Sequence, residues 1–461
     1  MRAFIAALLS ALMFYLSQGL ADVSVLSWFA AAPLLWLAYG DSPRWQVVLA
    51  STSAFACGQI YLFQCYWKFL PVLALAPILI ALCLGFLGTL LLAREVHRRG
   101  TPALALVTFP ASWTAFEYLL GLISPHGTFG ALGYAATSFP AAIQIASLFG
   151  VHAVSFMLCL AANALALLLR GQRRAGAIGV AICLLCLGYG AVRLSVSHQI
   201  NVRVAALSDQ DVWRRQNEAP TGDSERQAAQ VYADFIETLP GVRVVVVPEG
   251  AINLPPQNAD GVLAPLRSVA KETGAMVVIG TFVADPTQNR AFAFMPDGTL
   301  QTYAKRHLLM PFEPEAPGSQ AGALGQGYAT QICKDMDFPE SVRGTAAHGI
   351  RLMMVPANDF GADAWIHARM AIMRGVENGF GVVRAAFNGM ESISDAQGRL
   401  LKTASTQTAG MVAIVADVPL GAGPTLYTRV GEIFSWLCLA FSGYVCARLL
   451  RCRSWVRVPA G

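Results

Sequence analysis

The run VRVVVVPEG, residues 242–250, joins four consecutive valines to a Pro-Glu-Gly turn. Valine is stiff at χ1 and packs well on a pleated surface, so the run reads as a strand. Successive side chains of a strand point to opposite faces, so an unbroken apolar run is buried on both sides, as in a sheet with covered faces. The pattern returns in AMVVIGTFV (275–283), RLMMVPAND (351–359) and 381–387, with helical spacing over 222–238, 259–273, 339–348 and 363–378. Strands are also expected at 200–207, 328–333 and 410–418, and hairpins turn at Pro296–Gly298 and around DAQG (395–398). Apolar strands separated by helices imply an α/β layered domain.

That domain is one part of a chain of 461 residues, 55% hydrophobic and only 13% charged. Soluble domains carry about 25% charged residues, and the mean hydropathy of +0.50 also points to a membrane protein. The apolar residues dominate up to about Ser195 and return from Val430. A membrane helix needs about 20 mostly apolar residues. Eight candidates meet this: about 4–20, 24–40, 47–67, 71–93, 103–123, 139–169, 175–195 and 430–448. The expected organisation is a helical membrane domain at 1–195, an exported domain at 196–429, and a closing helix with a basic tail at 430–461.

Orientation follows from arginine placement. With the N-terminus cytoplasmic, the inner segments hold Arg2, Arg44, Arg94, Arg98, Arg99, Arg170, Arg173 and Arg174, and the tail adds Arg448, Arg451, Arg453 and Arg457. The short outer loops hold only Lys68. The 196–429 block then lies outside the cytoplasm. These clusters read as stop-transfer anchors, and no nucleic-acid partner is expected.

Ten cysteines occur, and nine lie in expected membrane helices or the tail. The exported domain holds one, Cys333, in QICKDMDFPE (331–340). A lone thiol is at risk of oxidation in such a compartment, so either it is a small buried hydrophobe or it is used. In open α/β sheets ligands gather at strand carboxyl ends. Glu249 follows VVVVP, Cys333 follows YATQI, Asn358 and Asp359 follow LMMVPA, and Lys305 lies beyond a hairpin strand. A cysteine nucleophile needs a base and an oxyanion donor, roles open to Glu249 and Lys305. The seven histidines are scattered without metal-ligand spacing, and no metal or cofactor is expected.

The motifs VVVVPEGAI, YAKRHLLMPFEPEAPG and QICKDMDFPESVR resemble the Glu-Lys-Cys signature of the nitrilase (carbon–nitrogen hydrolase) superfamily. With the membrane frame, and with NDFGADAWIHARMAIMRGVENG (358–379), VVRAAFNG (382–389) and YTRVGEIFSW (427–436), the chain resembles the apolipoprotein N-acyltransferases. The resemblance implies a polytopic helical membrane domain of about eight spans plus an exported nitrilase-like α-β-β-α sandwich. It implies ping-pong acyl transfer from a phospholipid donor through a Cys333 thioester to a diacylated lipoprotein, with Glu249 as base and Lys305 on the tetrahedral intermediate. It places the protein, as a monomer, in the bacterial inner membrane with the catalytic domain outside.

Three departures stand out. The family has an aromatic and a glutamate after the cysteine, where this chain has Lys334 and Asp335. The family's glutamate after PFG falls to Glu313 or Glu315, with Glu315 placed ahead. The loop around Asn358 is also altered, with Phe360 and Gly361 after Asp359. Asp335 and Asn358 are expected to support or position substrate. A membrane-anchored amide hydrolase, an N-acyltransferase with a different amine acceptor and a silent scaffold are the rival readings.

Overall fold

The computed structural model describes residues 1–196, 200–217, 223–255 and 259–454, with side chains described to residue 451. The basic tail from residue 455, including Arg457, lies outside the described residues, as does residue 222. The chain divides into two compact units, residues 1–194 with 430–461, and residues 195–429.

The first unit is helical. Among the described residues, six helices are long and apolar enough to cross a membrane: Arg44–Tyr66, Val72–Arg99, Pro102–Ile123, Val151–Leu169, Arg173–Ser195 and Ile433–Arg451. The other expected spans come out differently. Arg2–Gln18 is a helix of 17 residues. The stretch expected at 24–40 breaks into a 3-10 turn, Ser24–Trp28, and a short helix, Ala32–Tyr39, with a proline in its first turn. The long segment expected at 139–169 holds two single turns before the helix proper. Pro140 opens the first, and Gly150, at φ +76°, ends the second. Proline caps a helix at its start, and a residue at positive φ ends one, so the helix long and apolar enough to span is Val151–Leu169. The glycine-rich loop after Ile123 is tied inside the unit. Glu117 Oε1 accepts from Leu132 N at 2.7 Å and from Trp113 Nε1 at 2.9 Å.

Among the described residues, the second unit holds two six-stranded sheets. One runs β12-β1-β2-β3-β4-β5, formed by β1 (Asn201–Asp209), β2 (Val244–Leu254), β3 (Met276–Ala284), β4 (Thr287–Phe294), β5 (Leu300–Ala304) and β12 (Met411–Pro419). The other runs β11-β10-β9-β8-β7-β6, formed by β6 (Ala323–Gly325), β7 (Tyr328–Thr330), β8 (Leu352–Asn358), β9 (Gly381–Phe387), β10 (Met390–Ser394) and β11 (Leu400–Ser405).

The valine run shows how the layers arise. Val244 and Val246 join the core between the sheets, with Val204, Val278, Met354 and Val383. Val245 and Val247 face the other way, onto Tyr232, Ile236, Leu266 and Val269 of helices Ser224–Glu237 and Ala259–Thr273. In the second sheet Leu352 and Met354 face inward, while Met353 and Val355 pack against Val342 and Ala371 of helices Pro339–Ala346 and Ala364–Asn378. Period-two alternation with both faces apolar therefore builds α-β-β-α, a nitrilase-like four-layer sandwich.

Candidate active site

Glu249 lies within β2 rather than at its end, because the strand runs on to Leu254. The pairing with β3 slips at this point. Val247 faces Ile279 and Ile252 faces Thr281, so Pro248–Ala251 bulge over Gly280. Two glycines make the bulge possible. Gly250 sits at φ +66°, and a Cβ on Gly280 would come within 2.5 Å of the Glu249 Cα. A bulge re-aims a side chain, and here it sends the Glu249 carboxyl into a buried polar knot.

Lys305 forms the centre of that knot. It follows β5, with its N–H donating to Asn289 O at 2.9 Å. Its Nζ donates to Glu249 Oε1 at 2.6 Å, and to Glu313 Oε1 and Oε2 at 2.7 and 2.8 Å. Asn289 Nδ2, on the adjoining strand β4, donates to Glu249 Oε1 at 2.6 Å and to Glu313 Oε1 at 2.9 Å. The Leu309 N–H adds a further bond to Glu313 Oε2 at 2.6 Å. All four side chains are buried.

The geometry reverses the order expected of the two loop glutamates. Glu313 holds Lys305, whereas Glu315 makes no hydrogen bond among the described residues and has one buried carboxyl oxygen unmet. The reason is local. The chain turns back at Leu309, where the Glu313 N–H donates to Leu309 O, and this aims the 313 side chain at the lysine. Glu313→Gln should therefore lower turnover by about tenfold or more through loss of a buried charge-assisted bond. Glu315→Gln should leave turnover nearly unchanged, and initial rates of the two variants check this.

Cys333 opens a 3-10 turn, Cys333–Asp337, instead of closing a strand. Its φ of +43° is rare for a residue with a Cβ, and such strain, about 1–3 kcal/mol, persists only where the surroundings impose it. Asp335, fully buried, supplies the constraint. Its Oδ2 accepts from Ile332 N at 3.1 Å and Tyr303 Oη at 2.7 Å, and its Oδ1 from the N–H groups of Arg306 and His307 at 3.1 and 2.9 Å. One carboxylate thus ties the cysteine turn to the segment that carries Lys305. Lys334 adds a second tie, its Nζ donating to Leu308 O at 3.0 Å.

Cys333 is a partly accessible residue, and its Sγ donates to Asn358 O at 3.6 Å. Asn358 ends β8, and its Oδ1 accepts from Asn388 Nδ2 at 3.1 Å. Asn388 Oδ1 accepts in turn from Gln210 Nε2 at 2.8 Å. Next to this chain the Arg384 guanidinium grips Asp359, with Nη1 on Oδ2 at 3.0 Å. Sequence reasoning missed Asn289, Arg384, Asn388 and Gln210. The available signal was a polar residue inside an apolar strand pattern, as at Arg384 in GVVRAAF; Asn289, within the polar run TQNR, carried no such signal.

Burial pushes the Glu249 carboxyl up to about 7, Glu313 pushes the same way, and Lys305 opposes both. Burial and the Glu249 charge also raise the Cys333 thiol well above its ordinary value, against the pull of Lys305. Burial works to discharge Lys305, but Glu249, Cys333 and Glu313 outweigh it and hold the ammonium above its usual range. The arrangement offers a neutral thiol, a carboxylate ready to accept a proton near neutrality, and a permanent cation. These are the elements of nucleophilic acyl chemistry. A base with a pKa of about 7 must be unprotonated to act, so kcat should fall about tenfold per pH unit below pH 7. A pH–rate profile flat from pH 5 to 8 would exclude Glu249 as the base.

Residues 10–165 match the family model described as apolipoprotein N-acyltransferase N-terminal domain, and residues 223–423 match carbon-nitrogen hydrolase. Among curated proteins, the chain is 26% identical to the apolipoprotein N-acyltransferase of Geobacter metallireducens, over 98% of this chain and 96% of that one. It is 28% identical to that of Methylococcus capsulatus, over 86% and 81%. Among solved structures, the amidase from Nesterenkonia sp. AN1 aligns with 51% of this chain and 95% of its own, at 22% identity and a TM-score of 0.40. The first family model falls on the helical frame and the second on the sandwich, and a relative named apolipoprotein N-acyltransferase aligns with nearly the whole chain.

Proposed function

We propose that this protein is a phospholipid-dependent N-acyltransferase that works through a thioester on Cys333 and acylates the N-terminal diacylglyceryl-cysteine of lipoproteins. The observation that carries the chemistry is the buried contact of Lys305 with Glu249 at 2.6 Å, beside a strained and partly accessible cysteine. Glu249 removes the thiol proton once Cys333 turns away from Asn358 O. The thiolate attacks the donor's ester carbonyl, Lys305 neutralises the oxyanion, and as the C–O bond breaks Glu249 returns the proton to the leaving lysophospholipid oxygen. The acceptor amine then attacks the thioester, Glu249 takes its proton, and as the C–S bond breaks that proton passes to the sulfur and Cys333 is restored.

Acyl transfer in place of hydrolysis rests on the family. In keeping with the arginine distribution, the reading places the sandwich on the extracytoplasmic side of the bacterial inner membrane. The test uses the full chain in detergent with phosphatidylethanolamine and a diacylglyceryl-cysteine peptide, followed by mass spectrometry. The peptide should gain one acyl chain. An acylated enzyme with an unchanged peptide would reject this acceptor, and a bare enzyme would reject the acyltransferase reading.

A further inference from the structure

We propose that Asn358 is a substrate-contacting residue whose side-chain amide donates to a substrate carbonyl beside Cys333, and that Asn388 and Gln210 are positioning residues that set its polarity. The inference rests on the acyltransferase reading and adds to it a second donor, outside the Glu-Lys-Cys set.

Three amides stand in a row at the carboxyl ends of separate strands. Gln210 directly follows β1, Asn388 directly follows β9, and Asn358 ends β8. Their bonds all run one way: Gln210 Nε2 donates to Asn388 Oδ1, and Asn388 Nδ2 donates to Asn358 Oδ1. An amide has one acceptor end and one donor end. With its oxygen taken, Asn358 presents Nδ2, whose N–H groups have no partner among the described residues.

The reverse direction is disfavoured at the far end of the row. Gln210 is buried, and as placed its Nε2 is bonded through one N–H while the other N–H and Oε1 are unmet among the described residues. Turned around, it would leave both N–H groups of a buried NH2 unmet, and an orphaned buried N–H is rarer than an under-satisfied carbonyl oxygen. Asn388 is held at φ +50°, a region that asparagine tolerates better than most residues.

The location makes the donor useful. Asn358's own backbone carbonyl lies 3.6 Å from Cys333 Sγ, which puts the residue beside the reacting sulfur, and the residue is partly exposed. A neutral NH2 suits a carbonyl oxygen and the oxyanion that replaces it. Two carbonyls can reach this donor: the acyl carbonyl, which arrives as the donor's ester and stays as the thioester, and the backbone carbonyl of the acceptor cysteine.

The full chain in detergent distinguishes them through its two half-reactions. Enzyme mass follows acylation of Cys333 by phosphatidylethanolamine, and peptide mass follows discharge to a diacylglyceryl-cysteine peptide. Asn358→Leu should slow acylation by about 100-fold, the effect of losing one oxyanion donor, and discharge with it where the amide meets the acyl carbonyl, because the oxyanion forms on that oxygen in both half-reactions. Discharge slowed alone assigns the acceptor's carbonyl. Alkylation of Cys333 by iodoacetamide, which forms no oxyanion, should keep its wild-type rate in this variant. Asn388→Leu frees the Asn358 amide to rotate, whereas Asn388→Asp forces it to donate inward and present oxygen, so the aspartate should be the slower of the two.

Wild-type rates for both half-reactions in Asn358→Leu would overturn the proposal. So would an equal loss of alkylation, which marks a structural role, or an Asn388→Asp variant no slower than Asn388→Leu. Wild-type enzyme that forms no acyl-enzyme would instead remove the acyltransferase reading, and this inference with it.

Discussion

Replacing Cys333 with alanine should abolish acyl-enzyme formation and lower N-acylation by at least about 10⁴-fold, the scale seen when a nucleophile is removed from a unit that acts together. The carboxylate and ammonium that remain have no electrophile-trapping atom between them. Alanine at 333 removes the Sγ contact with Asn358 O and leaves the Asp335 bonds to the surrounding backbone in place, so the fold should persist. Intact-mass spectrometry after incubation with phosphatidylethanolamine reads the first effect, and thermal unfolding reads the second. The backbone adds a sharper point. At φ +43° a Cβ is strained, so Cys333→Gly should unfold at a higher temperature than Cys333→Ala while being equally inactive. Persistent acylation in the alanine protein would move the nucleophile elsewhere.

Lys305→Met should damage both stability and rate. The ammonium lies within 2.8 Å of two buried carboxyl groups, Glu249 and Glu313, and without it they face each other across one Asn289 amide. Removing one partner of a buried ion pair costs about 3–5 kcal/mol, which is on the order of 10 °C in Tm for a domain of this size. Neighbouring carboxylates deprived of their cation share a proton. The Glu249 carboxyl, already raised to about 7, should therefore titrate higher still, and the acid limb of kcat should move to higher pH. Lys305→Arg should not restore the rate, because a planar fork cannot replace a compact charge held by three short contacts. The decisive comparison is the pH–rate profile of the methionine variant. An unmoved acid limb would mean that Lys305 does not control the charge on Glu249.

Much of this architecture is legible in local sequence. Four valines in a row, Met353 to Val355 and the 381–387 run declare strands buried on both faces, since few other environments accept unbroken β-branched and aliphatic residues. The Glu-Lys-Cys order is legible too, because each residue sits beside a strand or hairpin signal. Span number was less legible. Composition sees apolar length, whereas Pro140 and Gly150 break backbone geometry that hydropathy does not weigh.

The sequence by itself determined the two-part organisation, the layered class of the second part and the three residues most suited to the chemistry. These depend on period, composition and motif, all of which are local. Tertiary structure alone decided which partners those residues meet. Glu313 prevails over Glu315 because a turn at Leu309 aims one side chain inward, and spacing from Lys305 contains no record of that turn. Asn289 joins the knot because hairpin register sets Arg290 opposite Ala304, one residue before Lys305. Gln210, Asn358 and Asn388 lie far apart in the chain, and meet only because β1, β8 and β9 end together at one edge of the sandwich. Hydrogen bonding is directional and short-ranged, so such meetings follow from the folded backbone, whereas burial is non-directional and can be read from pattern.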